Sequence, residues 1–404
     1  MTAQAPTRGN VRDFTYRTEM LRAVPNGAIE AAMATFFLLI AVRYYDAGPT
    51  AKSFISTGGS LGLLLTPFIV VWVGRYQWTT TTAASALGLV GSAGFFIAGL
   101  YPSLPVFVGG SLLGVICAAA AIPLWTQTFQ DNYPASERGK LFSRVTVLRI
   151  VSSGAAAEII GRYLGGGIER FPLFMMFLAA CGFLSSALAA TIPSRPLSME
   201  GGRHPLRSLR YLKEDRLLRW MIISWMLMGL GNLMTLPLRV EYLANPVHGL
   251  ELSVPAIALL LGVLPNVSRL VFSLFWGRLF DRLDFLTLRI CLNLGFLLGI
   301  ATFFAGSSWT GLAIGAFLFG VANAGGDVAW SLWVTKIATP DRVADYMSIH
   351  TFFTGIRGLA APFLAFYLLE FMPIHAIAMI SLGLILVATL MLVFERKRGP
   401  LRNR

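Results

Sequence analysis

The sequence predicts an all-α membrane protein with twelve transmembrane helices arranged as two six-helix bundles. Of its 404 residues, 55% are hydrophobic and only 13% are charged, whereas about a quarter of the residues in a soluble globular protein are charged. The apolar runs are long and continuous, unlike the short alternating strands of a transmembrane barrel. One span takes about 20 residues, so twelve spans use roughly 240 residues, which this chain can supply.

Clusters of charged residues separate the apolar runs into two sets of six. The predicted spans of the first set are 25–45, 53–74, 80–101, 105–128, 145–166 and 172–193. Those of the second set are 217–238, 255–276, 285–305, 310–336, 347–370 and 374–394. A polar stretch with four arginines precedes the first span and no cleavage-like site of small residues follows it. We therefore expect a retained first helix rather than a removed signal peptide.

The longest polar segment between spans divides the chain into two halves. The predicted parts are a cytoplasmic N-terminal tail (1–24), an N-terminal bundle (25–193), a cytoplasmic linker (194–216), a C-terminal bundle (217–394) and a basic cytoplasmic tail (395–404). The halves share weak internal similarity at an offset of 206 residues, which aligns Gly114, Val115, Ala118 and Pro134 with Gly320, Val321, Ala324 and Pro340. Two similar halves of parallel topology are typical of transporters, whose substrate site is expected where the halves meet.

The net charge of +13 indicates membrane orientation rather than a nucleic-acid partner. With twelve spans both termini lie on one side, and 26 of the 33 Lys and Arg residues fall there against five on the other side. This bias follows the positive-inside rule and predicts cytoplasmic termini in a multi-pass protein of the cell membrane. The three cysteines lie inside apolar runs without C-x-x-C spacing. We expect no disulfide, no metal site and no cofactor.

A short loop after the eighth span carries the most specific motif. Its sequence, Gly277-Arg278-Leu279-Phe280-Asp281-Arg282, resembles the G-x-x-x-D-R loop signature of the major facilitator superfamily. The resemblance extends to the six-plus-six spans, the central loop and the cytoplasmic termini. It implies that Gly277, Asp281 and Arg282 form a cytoplasmic gate loop, in which glycine permits close helix approach and the acid accepts hydrogen bonds.

Other loops match the family less closely. The first-half equivalent, residues 74–79, keeps the glycine but lacks the acid, and we interpret it as a turn with interfacial aromatic residues. The loops at 134–139 and 340–342 resemble the family's proline-then-arginine loops. Residues 161–166 resemble the end of the antiporter signature, with Arg162 in place of its proline. Packing of small residues explains the glycines of this segment equally well.

Ionisable residues inside predicted spans are costly and are functional candidates by default. In the first half, Glu30 and Arg149 lie at similar depth and could pair, while Glu158 and Arg162 are spaced i, i+4 and could pair along one helix. These four residues and Asp327 are candidates for proton coupling or for ion pairs. Burial raises the pKa of a carboxyl group and an adjacent arginine lowers it, so an acid that alternates between the two environments can load and release a proton.

The second half supplies the predicted substrate cavity. Asp327 and Arg357 lie at similar depth on neighbouring spans and could form an ion pair. Arg269 is a rival partner for Asp327. The residues predicted to line the cavity are Asn232, Arg269, Asn323, Asp327, Trp330 and Arg357. Permanent ion pairs that tie helices together are the structural alternative. Two arginines in one half suggest an anionic substrate, unless both are bridged to acids.

These observations favour a secondary active transporter that moves a small organic solute by alternating access, with proton coupling expected and efflux slightly favoured over uptake. Its expected partners are the solute, H⁺ and the lipid bilayer, with the chain acting as a monomer. A membrane-embedded enzyme would need convergent catalytic residues, yet the four histidines are scattered and no H-E-x-x-H or G-x-S-x-G motif occurs. A transporter-like sensor or scaffold without net transport remains the other alternative.

Overall fold

The computed structural model describes residues 8–134, 136–197, 209–338 and 343–397, and these residues are helical with short connections. The helices of the first half are α1 (Arg8–Ala31), α2 (Phe37–Arg43), α3 (Pro49–Arg75), α4 (Thr80–Leu100), α5 (Leu104–Ala120), α6 (Ile122–Asn132), α7 (Arg138–Gly165) and α8 (Phe171–Thr191). Those of the second half are α9 (Tyr211–Glu214), α10 (Arg216–Ala244), α11 (Val254–Ala258), α12 (Leu264–Arg282), α13 (Phe285–Phe304), α14 (Trp309–Ile337), α15 (Val343–Leu368) and α16 (Ile374–Lys397). Short π-helical turns, Ala32–Phe36 and Leu259–Val263, join α1 to α2 and α11 to α12.

Within the described residues, eleven helices, some of them running through such turns, are long and apolar enough to cross a membrane. Helix α7 is not among them because charged residues interrupt its apolar face, although its 28 residues are long enough to span a bilayer. The eleven candidate helices and α7 together match the twelve predicted transmembrane helices. The protein is a multi-pass, all-α membrane protein, as the sequence predicts.

The chain divides into two compact units. Unit 1 comprises Met1–Ile40 and Gly58–Gly202, and unit 2 comprises Ala41–Thr57 and Arg203–Arg404. In unit 1, α1 packs on α7 and α8, and α4 packs on α5, α6 and α8. In unit 2, α10 packs on α15 and α16, and α14 packs on α12 and α13. The segment that includes the start of α3 thus groups with unit 2, whereas the sequence-based division assigned it to the first bundle.

The first helix begins at Arg8, well before the predicted start of the first span at residue 25. Polar side chains at helical spacing share one face of this early segment and are buried: Thr15, Thr18, Glu19 and Arg22. Their burial explains the difference, because a polar stretch joins a bundle when its charged groups find partners inside it. The residues predicted as a tail therefore include part of α1.

Glycine sets the distance between α1 and α7. A Cβ atom added at Gly27 would lie 2.6 Å from the Cβ atom of Ser152 and 2.8 Å from the carbonyl oxygen of Arg149. Only glycine allows this approach without displacing one helix. The contact brings Glu30, about one turn further along α1, opposite Arg149 on α7.

Candidate substrate cavity and buried charges

Unit 1 contains a cavity of about 600 Å³ that is lined by α1, α4, α5, α6, α7 and α8. This volume lies within the range of small-molecule sites in proteins. Its wall combines aromatic side chains, among them Trp125, Phe129 and Phe142, with polar and charged ones. The polar and charged groups are Glu19, Arg22, Asn26, Glu30, Ser92, Thr126, Thr146, Arg149, Ser185 and Ser186. We call this space the unit 1 cavity.

A buried ion pair forms one part of the cavity wall. Arg22 donates to the carboxylate of Glu19, and both side chains are less than 10% exposed. The Arg22 Nε atom also donates to the backbone oxygen of Ser185 at 3.0 Å, and its guanidinium lies 3.8 Å from the Trp125 ring centre. The Ser185 hydroxyl in turn donates to Asn26 at 2.8 Å. These contacts hold Arg22 in one position.

Sequence reasoning missed Glu19 and Arg22 because both precede the apolar run that defined the first span. A signal for them was present, since Thr15, Glu19, Arg22 and Asn26 recur with helical spacing on one face.

The predicted Glu30–Arg149 pair is formed in the structure and borders the same cavity. The Arg149 Nε atom lies 3.3 Å from the nearer Glu30 carboxylate oxygen. The side chain of Glu30 is 29% exposed and that of Arg149 is 38% exposed, which is much more than the side chains of Glu19 and Arg22. A longer, more open ion pair at a cavity wall separates more readily than a buried one with several hydrogen bonds.

The predicted Glu158–Arg162 pair also forms but lies away from the unit 1 cavity. The Arg162 Nε atom donates to Glu158 at 2.6 Å along one turn of α7. The Arg162 side chain is 76% exposed, and neither residue lines the cavity. Arg149 and Glu158 project to different sides of α7, as their nine-residue spacing requires.

In unit 2, the acid Asp327 pairs with Arg269 rather than with Arg357. The Arg269 Nε atom donates to Asp327 at 2.6 Å, which joins α12 to α14. Of the two partners that the sequence leaves open for Asp327, the structure shows Arg269, and the alternative pair with Arg357 does not form. Similar depth on neighbouring helices does not fix the rotation of each helix, and rotation decides which side chains meet.

Arg357 points instead towards α10. Its Nη1 atom donates to the backbone oxygen of Trp225, and its side chain is buried. A Cβ atom at Gly229 would lie 2.3 Å from the Arg357 Cζ atom, so this glycine makes room for the guanidinium. A second buried arginine, Arg289 on α13, lies with its Cζ atom 3.5 Å from the Trp225 ring centre.

Sequence reasoning missed Arg289 because it follows the start of a predicted span by only four residues and counted as a cytoplasmic charge. His350, also buried, lies with its ring centre 4.7 Å from that of Trp225.

The other residues predicted to line a cavity in the second half are dispersed. Asn232 is half-buried on α10 and its Oδ1 atom is buried without a hydrogen-bond partner among the described residues. Asn323 and Trp330 are half-buried on α14. The Trp330 ring lies 5.7 Å from that of His350, so Trp330 adjoins the surroundings of Arg357. The prediction that all six residues line one substrate cavity remains a prediction.

The predicted gate loop lies at the end of α12. Asp281 and Arg282 are exposed, and a Cβ atom at Gly277 would meet no atom of the described residues within 4 Å. The close helix approach expected at this glycine is therefore not seen. In the first-half equivalent, Gln77 adopts a positive φ of 53° and its side chain donates to Gly74, which is the turn that the sequence suggested. The loop at residues 340–342 lies outside the described residues.

A smaller cavity of about 240 Å³ lies in unit 2 beside a buried carboxylate. The Lys52 Nζ atom is 2.8 Å from Glu241 Oε1, which also accepts a hydrogen bond from Asn245 at 2.7 Å. The His248 Nε2 atom lies 4.0 Å from the same oxygen. Burial lowers the pKa of His248; Lys52 and His375 lower it further, whereas Glu241 opposes the shift. The sequence analysis missed Glu241 because this residue lies just beyond the predicted span 217–238.

The model of the family described as Major Facilitator Superfamily matches residues 241–404. The match lies in the second half of the chain and shows a likeness to this family over that part. Curated protein sequences give no significant match.

Solved structures extend the major facilitator fold to nearly the whole chain. A point mutant of the nucleoside transporter NupG matches with a TM-score of 0.78 and 14% identity, over 95% of this chain and 100% of its own. The xylose transporter XylE from E. coli matches with a TM-score of 0.69 and 14% identity, over 94% and 95%. The human organic anion transporter MFSD10 matches with a TM-score of 0.63 and 14% identity, over 96% and 100%. Identities this low establish the fold alone.

The matches confirm the predicted resemblance and the fold of twelve helices in two bundles. The family and these neighbours are transporters rather than enzymes.

Proposed function

We propose that this protein is a secondary active transporter that moves a small organic solute across the cell membrane by alternating access. Export coupled to proton entry is the direction we propose. Its structural neighbours include a nucleoside transporter, a xylose transporter and an organic anion transporter, which are proteins that move small organic solutes. The positive-inside distribution of Lys and Arg supports cytoplasmic termini.

The unit 1 cavity is the observation that carries this proposal. Its volume of about 600 Å³ suits a solute of drug-like or metabolite size. Its wall offers aromatic surface for the apolar body of a solute. Fixed polar groups, such as Arg22 and Asn26, which both contact Ser185, can orient the solute. Such a mixture suits an amphipathic organic compound better than an inorganic ion, and it favours export over uptake of a strongly hydrated nutrient.

Proton coupling is assigned to the Glu30–Arg149 pair. It is the more exposed of the two carboxylate–arginine pairs at the unit 1 cavity. When an arginine moves away from a carboxylate, the carboxylate takes up a proton more readily because its negative charge has lost its partner. Glu158 and Arg162 are less suited to this role, because they lie off the cavity.

A ligand screen followed by counterflow tests the transport proposal. Purified protein is screened by thermal unfolding against anionic, neutral and cationic organic solutes, and each stabilising solute is preloaded into proteoliposomes. We expect labelled solute to accumulate by exchange only where the protein is present. Stabilising ligands that never exchange across the bilayer would contradict transport and favour a sensor or scaffold.

A further inference from the structure

Unit 2 contains two buried arginines that share one tryptophan. The Arg289 and Arg357 Cζ atoms lie 3.5 Å and 5.7 Å from the Trp225 ring centre. The rings of Trp333 and His350 complete the group, at 6.2 Å and 4.7 Å from the same indole. We call these five residues the Trp225 cluster. It joins α10, α13, α14 and α15 inside unit 2.

The two positive charges of the cluster have no acidic partner among the residues that the structure describes. Ion pairs in unit 2 join Lys52 and His248 to Glu241, Arg216 to Glu395 and Arg269 to Asp327. None of them includes Arg289 or Arg357. Two like charges close together in a poorly polarisable interior repel each other, and a cation–π contact with one shared ring offsets only part of that cost.

The cluster also contains an excess of hydrogen-bond donors. Arg289 Nε and Nη2, Arg357 Nε and the indole nitrogens of Trp225 and Trp333 are buried without an acceptor among the described residues. Buried polar groups are nearly always satisfied, so a set of unsatisfied donors in one place needs an explanation. One bound anion would satisfy the donors and balance the charge.

A third buried arginine shows that a lone guanidinium can be accommodated differently. Arg239 lies near the other end of α10, with its Cζ atom 3.4 Å from the Phe319 ring centre and 5.4 Å from that of Phe303. It also has buried nitrogens without acceptors, but it stacks on two rings of its own. The Trp225 cluster differs because two cations share one indole.

We infer that Arg289 and Arg357 bind the carboxylate group of an organic ligand at a site of their own in unit 2. None of the residues of the Trp225 cluster lines the unit 1 cavity. The ligand class is organic monocarboxylates, with a planar or aromatic body. Arginine is suited to carboxylates because its parallel N–H groups match the two oxygens. The space is tight, since Arg357 already fills the volume that a side chain at Gly229 would need. A compact carboxylate therefore suits it better than a bulky phosphate, and the surrounding rings suit a flat apolar body.

The test measures binding of benzoate and of benzamide, its uncharged counterpart of similar shape, to the full chain in lipid nanodiscs by thermal unfolding and calorimetry. Benzoate should raise the unfolding temperature and benzamide should not. R289Q and R357Q should each weaken benzoate binding by about tenfold or more, as expected for a lost charge-assisted hydrogen bond. R239Q is the matched control, because it removes another buried arginine of unit 2 and should leave binding unchanged.

Equal effects of benzoate and benzamide on the wild type would overturn the inference, as would benzoate binding that survives both R289Q and R357Q. If either glutamine variant fails to fold, R289K and R357K keep the charge and should retain measurable benzoate binding. The comparison of benzoate with benzamide on the wild type decides the matter in any case.

Counterflow separates this inference from the transport proposal. Exchange of neutral solutes by a protein that does not bind benzoate would leave transport standing and contradict the carboxylate site. Benzoate binding that depends on Arg289 and Arg357 without any exchange would leave the site standing and contradict transport.

Discussion

At the scale of single residues, buried charges divide into fixed and adjustable groups. Arg22 has a carboxylate, a backbone carbonyl and an indole as partners, and its side chain is 7% exposed. Arg149 has a longer contact with Glu30 at a cavity wall. The first arrangement stabilises the bundle, and the second is suited to change during transport.

Removal of Arg22 should destabilise unit 1. In R22A, the Glu19 carboxylate stays buried without its cation, which costs about 3–5 kcal/mol for a buried pair. The measurement is the unfolding free energy in detergent micelles. R12A is the control, because the Arg12–Glu137 pair is 35% and 43% exposed and such pairs contribute little. Equal losses in R22A and R12A would contradict the assignment of Arg22 as a fixed structural group.

His248 should make stability sensitive to acid. Its pKa in the folded protein lies below the ordinary value of 6.5, chiefly because of burial. The unfolded chain therefore binds the proton more readily, and stability falls as the pH drops through about 6.5 towards the lowered pKa. In H248Q the loss of stability between pH 7.5 and 5.5, followed by thermal unfolding, should be smaller than in the wild type. An unchanged pH dependence would contradict this assignment.

At the scale of helices, the contact between α1 and α7 positions Glu30 against Arg149. G27A inserts a methyl group where Ser152 and a backbone oxygen already lie within 3 Å. We expect a loss of about 1–3 kcal/mol, as for other overpacked contacts. G109A on α5 is the control, because a Cβ atom there meets nothing within 4 Å and alanine favours the helix by about 0.5–1 kcal/mol. G27A at least as stable as G109A would contradict the close contact.

The sequence predicts helices better than it predicts which side chains meet. Apolar runs indicate the spans because a bilayer requires them, and an i, i+4 spacing within one helix is enough to predict the Glu158–Arg162 pair. Pairing between helices also depends on helix rotation, which explains why Arg357 meets Trp225 rather than Asp327. Arg289 was missed because its position near a helix end resembles that of a cytoplasmic charge.

At the scale of the whole molecule, the positive-inside bias predicts the orientation of every loop. Cytoplasmic termini place the exposed Gln77 inside the cell and the exposed Val247 outside. In a background without the native cysteines, a membrane-impermeant thiol reagent should label V247C and not Q77C in intact cells. The opposite pattern would reverse the proposed orientation.

The central claim is that proton movement through Glu30 drives transport. The decisive measurement is flux of an identified solute in proteoliposomes with an imposed pH gradient, for the wild type, E30Q and E158Q. The account predicts gradient-driven flux in the wild type and E158Q, with E30Q retaining exchange but losing the response to the gradient. Solute flux that ignores the pH gradient in the wild type, or that responds equally in E30Q, would contradict it.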